Sequence, residues 1–169
     1  MGEKTSKRPA AAVGGNQRAA YHVASVTSLL VTLLGIVYGA AVAILALTGQ
    51  MAFPPGEDVQ LFGGVTTALA VLLLPVLFVS LHELAPENKR VFSRLAIVFC
   101  TLFAAFVGIN RFVQLSVVRL SILEGNAEGL ERFLPYDGRS ALFALEMTGW
   151  GVMLGLAAFF WRCRSEETG

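Results

Sequence analysis

The sequence contains few of the residues on which enzymes and disulfide-rich proteins depend. It has two histidines and two cysteines, and charged residues occupy only 15% of its 169 positions, whereas soluble proteins are about a quarter charged. It contains no HExxH motif, no glycine-rich phosphate loop and no acidic cluster suited to a metal. The low fraction of charged residues argues against a soluble domain. The missing motifs give no support to an enzymatic activity.

Hydrophobic residues, in contrast, make up 55% of the chain and fall into four blocks. Each block approaches or exceeds the roughly 20 residues needed to cross a hydrocarbon core of about 30 Å. We expect transmembrane helices at residues 21–48, 61–84, 91–123 and 140–161. The fold class predicted is all-α, an integral membrane four-helix bundle at residues 21–161. Residues 1–20 are expected to be a disordered basic tail, and residues 162–169 a second short tail.

Lysine and arginine are concentrated on one side of the predicted bundle. The two tails and the second connection with its flank contain nine of these cations: Lys4, Lys7, Arg8, Arg18, Lys89, Arg90, Arg94, Arg162 and Arg164. The first and third connections together contain two, Arg132 and Arg139. Because these cations are enriched in cytoplasmic loops, both termini are expected to be cytoplasmic.

The two histidines, His22 and His82, are predicted near the cytoplasmic ends of the first and second helices. Histidines on facing helices can hold a haem iron, so haem-dependent electron transfer is a remote alternative. No third or fourth ligand has suitable spacing, and we predict neither a metal nor a cofactor. Cys100 and Cys163 are predicted at different depths, and a disulfide between them is not expected.

Small residues recur at a four-residue spacing in the first and fourth blocks. The pairs are Gly35 with Gly39 and Gly151 with Gly155. Such ridges let helix backbones approach closely in a membrane. Helix packing within one chain is the simpler interpretation, and dimerisation through one ridge is the alternative.

The third connection, EGNAEGLERFLPYDGRS, is the longest segment on the predicted outer side. Asn126 is a candidate cap for a short amphipathic turn that extends through Phe133 and rests on the membrane surface. Ser140 is a candidate cap for the last helix. A surface-lying linker is favoured over a lid that shields an outward-opening cavity.

The stretch FVGINRFVQLSVVRL places polar side chains where a membrane helix usually carries leucines. At 100° per residue Asn110, Arg111 and Gln114 share one face, while Arg119 points further round, near the interface, where it can snorkel. Arg111 is deeper and needs a partner. With a rise of 1.5 Å per residue, Arg111 and Glu146 lie about 13 and 9 Å below the outer interface. We predict an ion pair between them, supported by Gln114 and Asn110.

Three segments of the C-terminal half, NRFVQLSVVR, EGNAEGLERF and FALEMTGWGVMLGLAAFFW, resemble a family of prokaryotic four-helix integral membrane proteins. That family has a polar third-helix motif, a loop with glycine and an acid, and an A-L-E-M-x-G-[WY] motif that opens the last helix. The matching residues are Gln114, Arg119, Glu124, Gly125, Ala144, Leu145, Glu146, Met147, Gly149 and Trp150. The resemblance implies a four-helix fold in a prokaryotic plasma membrane and no particular activity.

The lead hypothesis is a small membrane protein with a polar site between the third and fourth helices. It would act as a binding or sensing protein or as an accessory subunit of a membrane complex. The alternative is an oligomeric transporter or proton-coupled carrier in which Arg111 and Glu146 bind an ion or substrate. The partners expected are the lipid bilayer and either a second copy or another membrane protein. A formal charge of +1 gives no sign of a nucleic-acid partner.

Overall fold

The computed structural model describes residues 10–50, 52, 55–126, 128–134 and 137–165, with side chains described from residue 17 to residue 163. These residues form four long helices and no strand. Helix α1 is Ala10–Leu47 and α2 is Glu57–Glu83. Helix α3, residues 90–123, joins the α-helix Arg90–Val113, the π-helical segment Gln114–Val118 and the α-helix Arg119–Leu123. Helix α4, residues 141–165, joins Ala141–Met147, the π-helical segment Thr148–Leu154 and Gly155–Ser165.

All four helices are long and apolar enough to cross a membrane, which is the arrangement of a multi-pass membrane protein. Three boundaries differ from those expected by four residues or more. Helix α1 begins at Ala10 instead of residue 21, because the alanine-rich segment before the apolar block has high helix propensity. It thus includes residues 10–20 of the tail that was expected to be disordered, while residues 1–9 lie outside the described chain. Helix α2 begins at Glu57 instead of residue 61, and α4 continues to Ser165 instead of ending at residue 161. Residues 166–169 also lie outside the described chain.

Helix α3 occupies the centre of the fold, with α2 packed on one side and α4 on the other. Helix α1 packs along α2 through one face. The least exposed of its described positions are 20, 24, 27, 31, 34, 41, 42 and 45, and most of them follow a helical spacing of three, four or seven residues. We call the end that holds residues 48–56 and 124–140 the distal end, and the end that holds residues 84–89 the proximal end.

The buried face of α3 is mostly apolar. In the part Arg90–Val113 its buried positions follow a helical spacing and are Ser93, Ala96, Cys100, Phe103, Val107 and Asn110. Phe103 and Val107 form the centre of the core together with Val71 of α2. The Phe103 ring also makes an edge-on contact with Trp150 of α4, at a centroid distance of 4.9 Å. The core therefore joins α2, α3 and α4 directly below Asn110.

Hydroxyl side chains along the four helices bond within their own helix. Thr27, Thr66 and Ser80 each donate to the carbonyl four residues earlier, at 2.6, 2.7 and 2.8 Å. Ser116 and Thr148 do the same at 2.6 and 2.8 Å. This pattern satisfies a hydroxyl locally in an apolar environment. These residues therefore need no partner on a neighbouring helix.

The packing glycines expected from the sequence do not contact a neighbouring helix of the same chain. A Cβ atom added at Gly35, Gly39, Gly151 or Gly155 would have no neighbour within 4 Å. The interpretation of intrachain packing is therefore wrong for these positions, because a four-residue spacing defines a ridge without defining which face of the helix is buried. Dimerisation through either ridge stays a prediction.

Close helix approach occurs instead at Gly149, where α4 meets α3. A Cβ atom at this position would lie 2.6 Å from the Val107 Cγ2 atom and 3.7 Å from Phe106 Cβ. Val107 is fully buried and β-branched, so it has little freedom to move away. A glycine at position 149 is thus required by the contact between the two helices.

We expect Gly149→Ala to destabilise the protein by about 1–3 kcal/mol, because the added methyl group overpacks the α3–α4 contact. The matched control is Gly151→Ala in the same π-helical segment, where the methyl group meets open space. That control should be neutral or stabilising by up to about 1 kcal/mol, since alanine favours the helix over glycine. The free energy of unfolding in detergent micelles measures both. Equal effects of the two substitutions would contradict the assigned contact.

Candidate functional site

A polar cluster joins α3 to α4 in the distal half of the fold. It consists of Asn110, Arg111, Gln114 and Glu146. Arg111 Nη2 donates to Glu146 Oε1, and this is the ion pair predicted from the sequence. Asn110 Nδ2 donates to Glu146 Oε2 at 2.7 Å, and Arg111 Nη1 donates to Gln114 Oε1 at 2.7 Å. Five residues were expected in the polar site, and these hydrogen bonds link four of them, whereas Arg119 lies outside the cluster.

The cluster is largely shielded from solvent even without a bilayer around the protein. The side chains of Arg111 and Glu146 are 13% and 15% exposed, and Asn110 is fully buried. A charge removed from water is stable only when it is paired and hydrogen-bonded. Each carboxylate oxygen of Glu146 accepts from a different residue of α3, so its negative charge is satisfied from that helix.

Two polar atoms of the cluster have no hydrogen-bond partner among the described residues. They are Asn110 Oδ1, an acceptor, and Arg111 Nε, a donor. Buried polar groups in native proteins are nearly always paired with protein or water. Both atoms are themselves buried, so a partner could reach them only as an enclosed water or after the side chains move.

A π-helical segment follows the charged residue in both helices. In α3 it is Gln114–Val118, and in α4 it is Thr148–Leu154. A π-helix bonds residue i to i+5 and so holds more residues per turn, and such segments are frequent at functional sites. Sequence reasoning missed both, since it assumed 100° per residue throughout. No residue pattern in these segments distinguishes them from a regular apolar helix.

Arg111 also borders a cavity of about 220 Å³ between the distal ends of α1 and α2, the α1–α2 cavity. Its polar lining consists of Arg111, Tyr38 and Gln50. The remaining lining is apolar or small: Val42, Leu45, Ala52, Pro55, Gly56, Val59 and Gly63. Sequence reasoning missed Tyr38 and Gln50, because periodicity alone does not reveal that Arg111 borders the cavity between α1 and α2.

Arg119 does not join the polar cluster. It lines a separate groove of about 280 Å³ between α2 and α3, the α2–α3 groove. The other residues that line it are Glu57, Gln60, Leu61, Gln114, Leu115, Val118, Ile122, Leu123 and Leu134. Gln114 is thus common to the cluster and to the wall of the groove.

The third connection differs from its predicted form. Its helical part is limited to the 3₁₀ turn Glu131–Phe133, which begins after Leu130 and has no side-chain cap. The cap expected from Asn126 is therefore wrong, because Leu130 occupies the cap position and Gly129, at positive φ, turns the chain between Asn126 and the helical residues. Backbone N–H groups of Glu131 itself and of Gly129 lower the pKa of the Glu131 carboxyl.

The cap expected from Ser140 is confirmed, since its Oγ accepts from the N–H of Leu142 and of Phe143 at 3.2 and 3.4 Å.

The histidines lie away from the polar cluster. His82 Nδ1 is 2.6 Å from Ser93 Oγ, a hydrogen bond that joins α2 to α3 at the proximal end, and His22 is exposed on α1. Among the described residues no three or more His, Cys, Asp or Glu side chains form a group that could hold a metal. Cys100 and Cys163 are free thiols.

No protein-family model, curated protein or solved structure matches this chain. The class of protein is therefore defined by its own fold, four membrane-length helices with an ion pair between α3 and α4.

The ion pair leads to a mutational cycle. Arg111→Leu and Glu146→Leu should each destabilise the protein by about 3–5 kcal/mol, since each leaves the opposite charge buried without its partner. The double variant should regain most of this loss. A smaller deficit should remain, because Asn110 then loses its acceptor, and adding Asn110→Leu should reduce it.

Thermal unfolding in detergent measures the cycle. Arg119→Leu is the matched control, since Arg119 makes no ion pair within the described chain, and it should change stability by less than about 1 kcal/mol. Additive losses for Arg111 and Glu146 would be inconsistent with the pairing.

Proposed function

We propose that this protein is a membrane binding or sensing protein that takes a small organic anion into the α1–α2 cavity. The observation that carries the proposal is that Arg111 belongs both to the buried ion pair and to the wall of that cavity. A cation beside a cavity with apolar walls, a phenol and an amide fits a compact ligand with one carboxylate.

The hydrogen bonding of Arg111 supports an anion as the ligand. Arginine binds carboxylates side-on through Nε together with one Nη group. In this structure Nε has no partner among the described residues, while Nη2 is held by Glu146. Because Nε is itself buried, an incoming carboxylate would reach it only by turning the Arg111 guanidinium towards the cavity, and that turn would weaken the bond from Nη2 to Glu146.

This competition supplies a mechanism for sensing. The Arg111–Glu146 pair is a charge contact between α3 and α4. A ligand that draws Arg111 away would leave Glu146 with Asn110 alone and would favour a different position of α4. A ligand shifts such an equilibrium only by its difference in affinity for the two states, and competition for one guanidinium provides that difference.

The direction of ligand entry follows from the distribution of cations. Nine lysines and arginines in the tails and the second connection with its flank favour cytoplasmic termini. The membrane we propose is a prokaryotic plasma membrane, which is what the family resemblance implies. The distal end would then face outward, so the α1–α2 cavity would open away from the cytoplasm.

Single cysteines test this orientation in a background that lacks Cys100 and Cys163. A membrane-impermeant thiol reagent applied to intact cells should label cysteines at Gly56 and Asn126 but not one at Asn88. Permeabilised cells provide the control, in which all three sites should react. Labelling of Asn88 alone in intact cells would invert the orientation.

Benzoate tests the ligand class, with benzamide as its uncharged counterpart. Benzoate should raise the Tm of the purified protein, by an amount equivalent to about 2.7 kcal/mol when its concentration is 100 times Kd. Benzamide should have a much smaller effect, because it cannot form a charge-assisted bond with Arg111.

Val59→Trp should fill the cavity and abolish the benzoate effect, while Val65→Trp, on the exposed face of the same helix, should retain it. A benzoate effect that survives in Val59→Trp would place the anion elsewhere. Accumulation of benzoate inside reconstituted vesicles would favour the carrier alternative.

A further inference from the structure

The α2–α3 groove has charges of opposite sign on its two walls. Glu57 lies in the first turn of α2, and Arg119 begins the last α-helical part of α3. Neither side chain makes an ion pair with the other or with another described residue. The groove thus presents one anion and one cation, both available to an occupant.

Each amide in the groove wall makes one hydrogen bond within the chain, and neither carries a charge. Gln60 Nε2 donates to the Pro55 carbonyl at 2.6 Å, and Gln114 Oε1 accepts from Arg111 at 2.7 Å. The rest of the wall is apolar and is formed by Leu61, Leu115, Val118, Ile122, Leu123 and Leu134. Recognition of a charged occupant therefore depends on Glu57 and Arg119, while the wall accepts hydrocarbon.

The position of the groove matches the boundary between lipid headgroups and acyl chains. Arg119 is four residues from the end of α3, so it lies about 6 Å from that end. Glu57 begins α2 at the same distal end. The charges are therefore close to the membrane surface, and the apolar wall between the two helices is accessible from the bilayer.

We propose that the α2–α3 groove binds one phospholipid whose headgroup carries a phosphate and a primary ammonium group. Arg119 binds the phosphate, Glu57 binds the ammonium, and the leucine-rich wall takes one acyl chain. The Glu57 carboxylate would repel a purely anionic headgroup, and Arg119 would repel a purely cationic one. The pair of charges therefore selects a zwitterion. This site uses none of the polar residues that line the α1–α2 cavity, so it stands apart from the proposed anion site.

Native mass spectrometry tests the proposal on the full chain in detergent. The probe is an equimolar mixture of phosphatidylethanolamine and phosphatidylglycerol with identical acyl chains. The wild-type protein should retain one phosphatidylethanolamine per chain and prefer it about tenfold, the change expected from one charge-assisted contact. Preference for phosphatidylglycerol, or retention of neither lipid, would overturn the proposal.

The charge variants separate the two headgroup contacts. Glu57→Gln should abolish the preference between the two lipids, because only phosphatidylethanolamine carries the ammonium. Arg119→Gln should reduce retention of both by about tenfold, because both carry the phosphate. Asp58→Asn in the same helical turn and Arg139→Gln in the third connection are the matched controls and should behave as wild type. Controls that lose lipid as strongly as the two groove variants would show a nonspecific surface charge effect and overturn the site.

A steric variant tests the apolar wall without changing charge. Ile122→Trp should fill the groove and reduce retention of both lipids, whereas Leu120→Trp, two residues away and outside the groove lining, should not. Ile122 and Leu120 are both substantially exposed, so both variants should fold. Undiminished retention in Ile122→Trp would place the lipid outside the groove.

Discussion

The ion pair between Arg111 and Glu146 is the interaction on which the distal half of the molecule depends. Two opposite charges on adjacent membrane-length helices determine which faces of α3 and α4 meet and at what depth. Asn110 and Gln114 then complete most of the hydrogen bonds of the pair. A buried ion pair contributes little net stability compared with well-packed apolar residues of the same volume, because desolvation offsets the attraction. The presence of this pair in an otherwise apolar fold is therefore not explained by a gain in stability. It is better explained by its effect on which helix faces pack together, or by the binding of a ligand.

Sequence reasoning identified those parts of the structure where a polar residue stands out against an apolar background. The pairing of Arg111 with Glu146 and the cap at Ser140 are of this kind, since each follows from a local need for a hydrogen-bond or charge partner. The four helices follow instead from the length of the apolar blocks. The glycines show the limit of the approach. Gly151 and Gly155 have the spacing of a packing ridge but face open space, whereas Gly149 makes the close contact. Spacing on one helix contains no information about the direction of its neighbour.

The other features that were not predicted from the sequence also depend on neighbouring parts of the chain or on the local backbone. Tyr38 and Glu57 became relevant only when the structure placed α1 along α2 and the first turn of α2 beside the end of α3. The two π-helical segments alter the angular position of every residue that follows them, and no composition in QLSVV or TGWGVML marks the change. Asn126 had the right chemistry for a cap, but Gly129, at positive φ, turns the chain before the helical residues begin. A single sequence therefore predicts local needs for hydrogen-bond and charge partners. It does not predict which helices are neighbours or where a helix is irregular.

Gln114 belongs both to the polar cluster and to the α2–α3 groove. Its side chain accepts a hydrogen bond from Arg111, and the residue forms part of the groove wall. An occupant of the groove that displaces this amide would change the hydrogen bonding of Arg111, and a change at Arg111 would reshape the groove. Thermodynamic linkage requires such an influence to be reciprocal, so each occupant would alter the affinity of the other by the same factor. Through one glutamine, the composition of the surrounding membrane would become an allosteric effector of the proposed anion site.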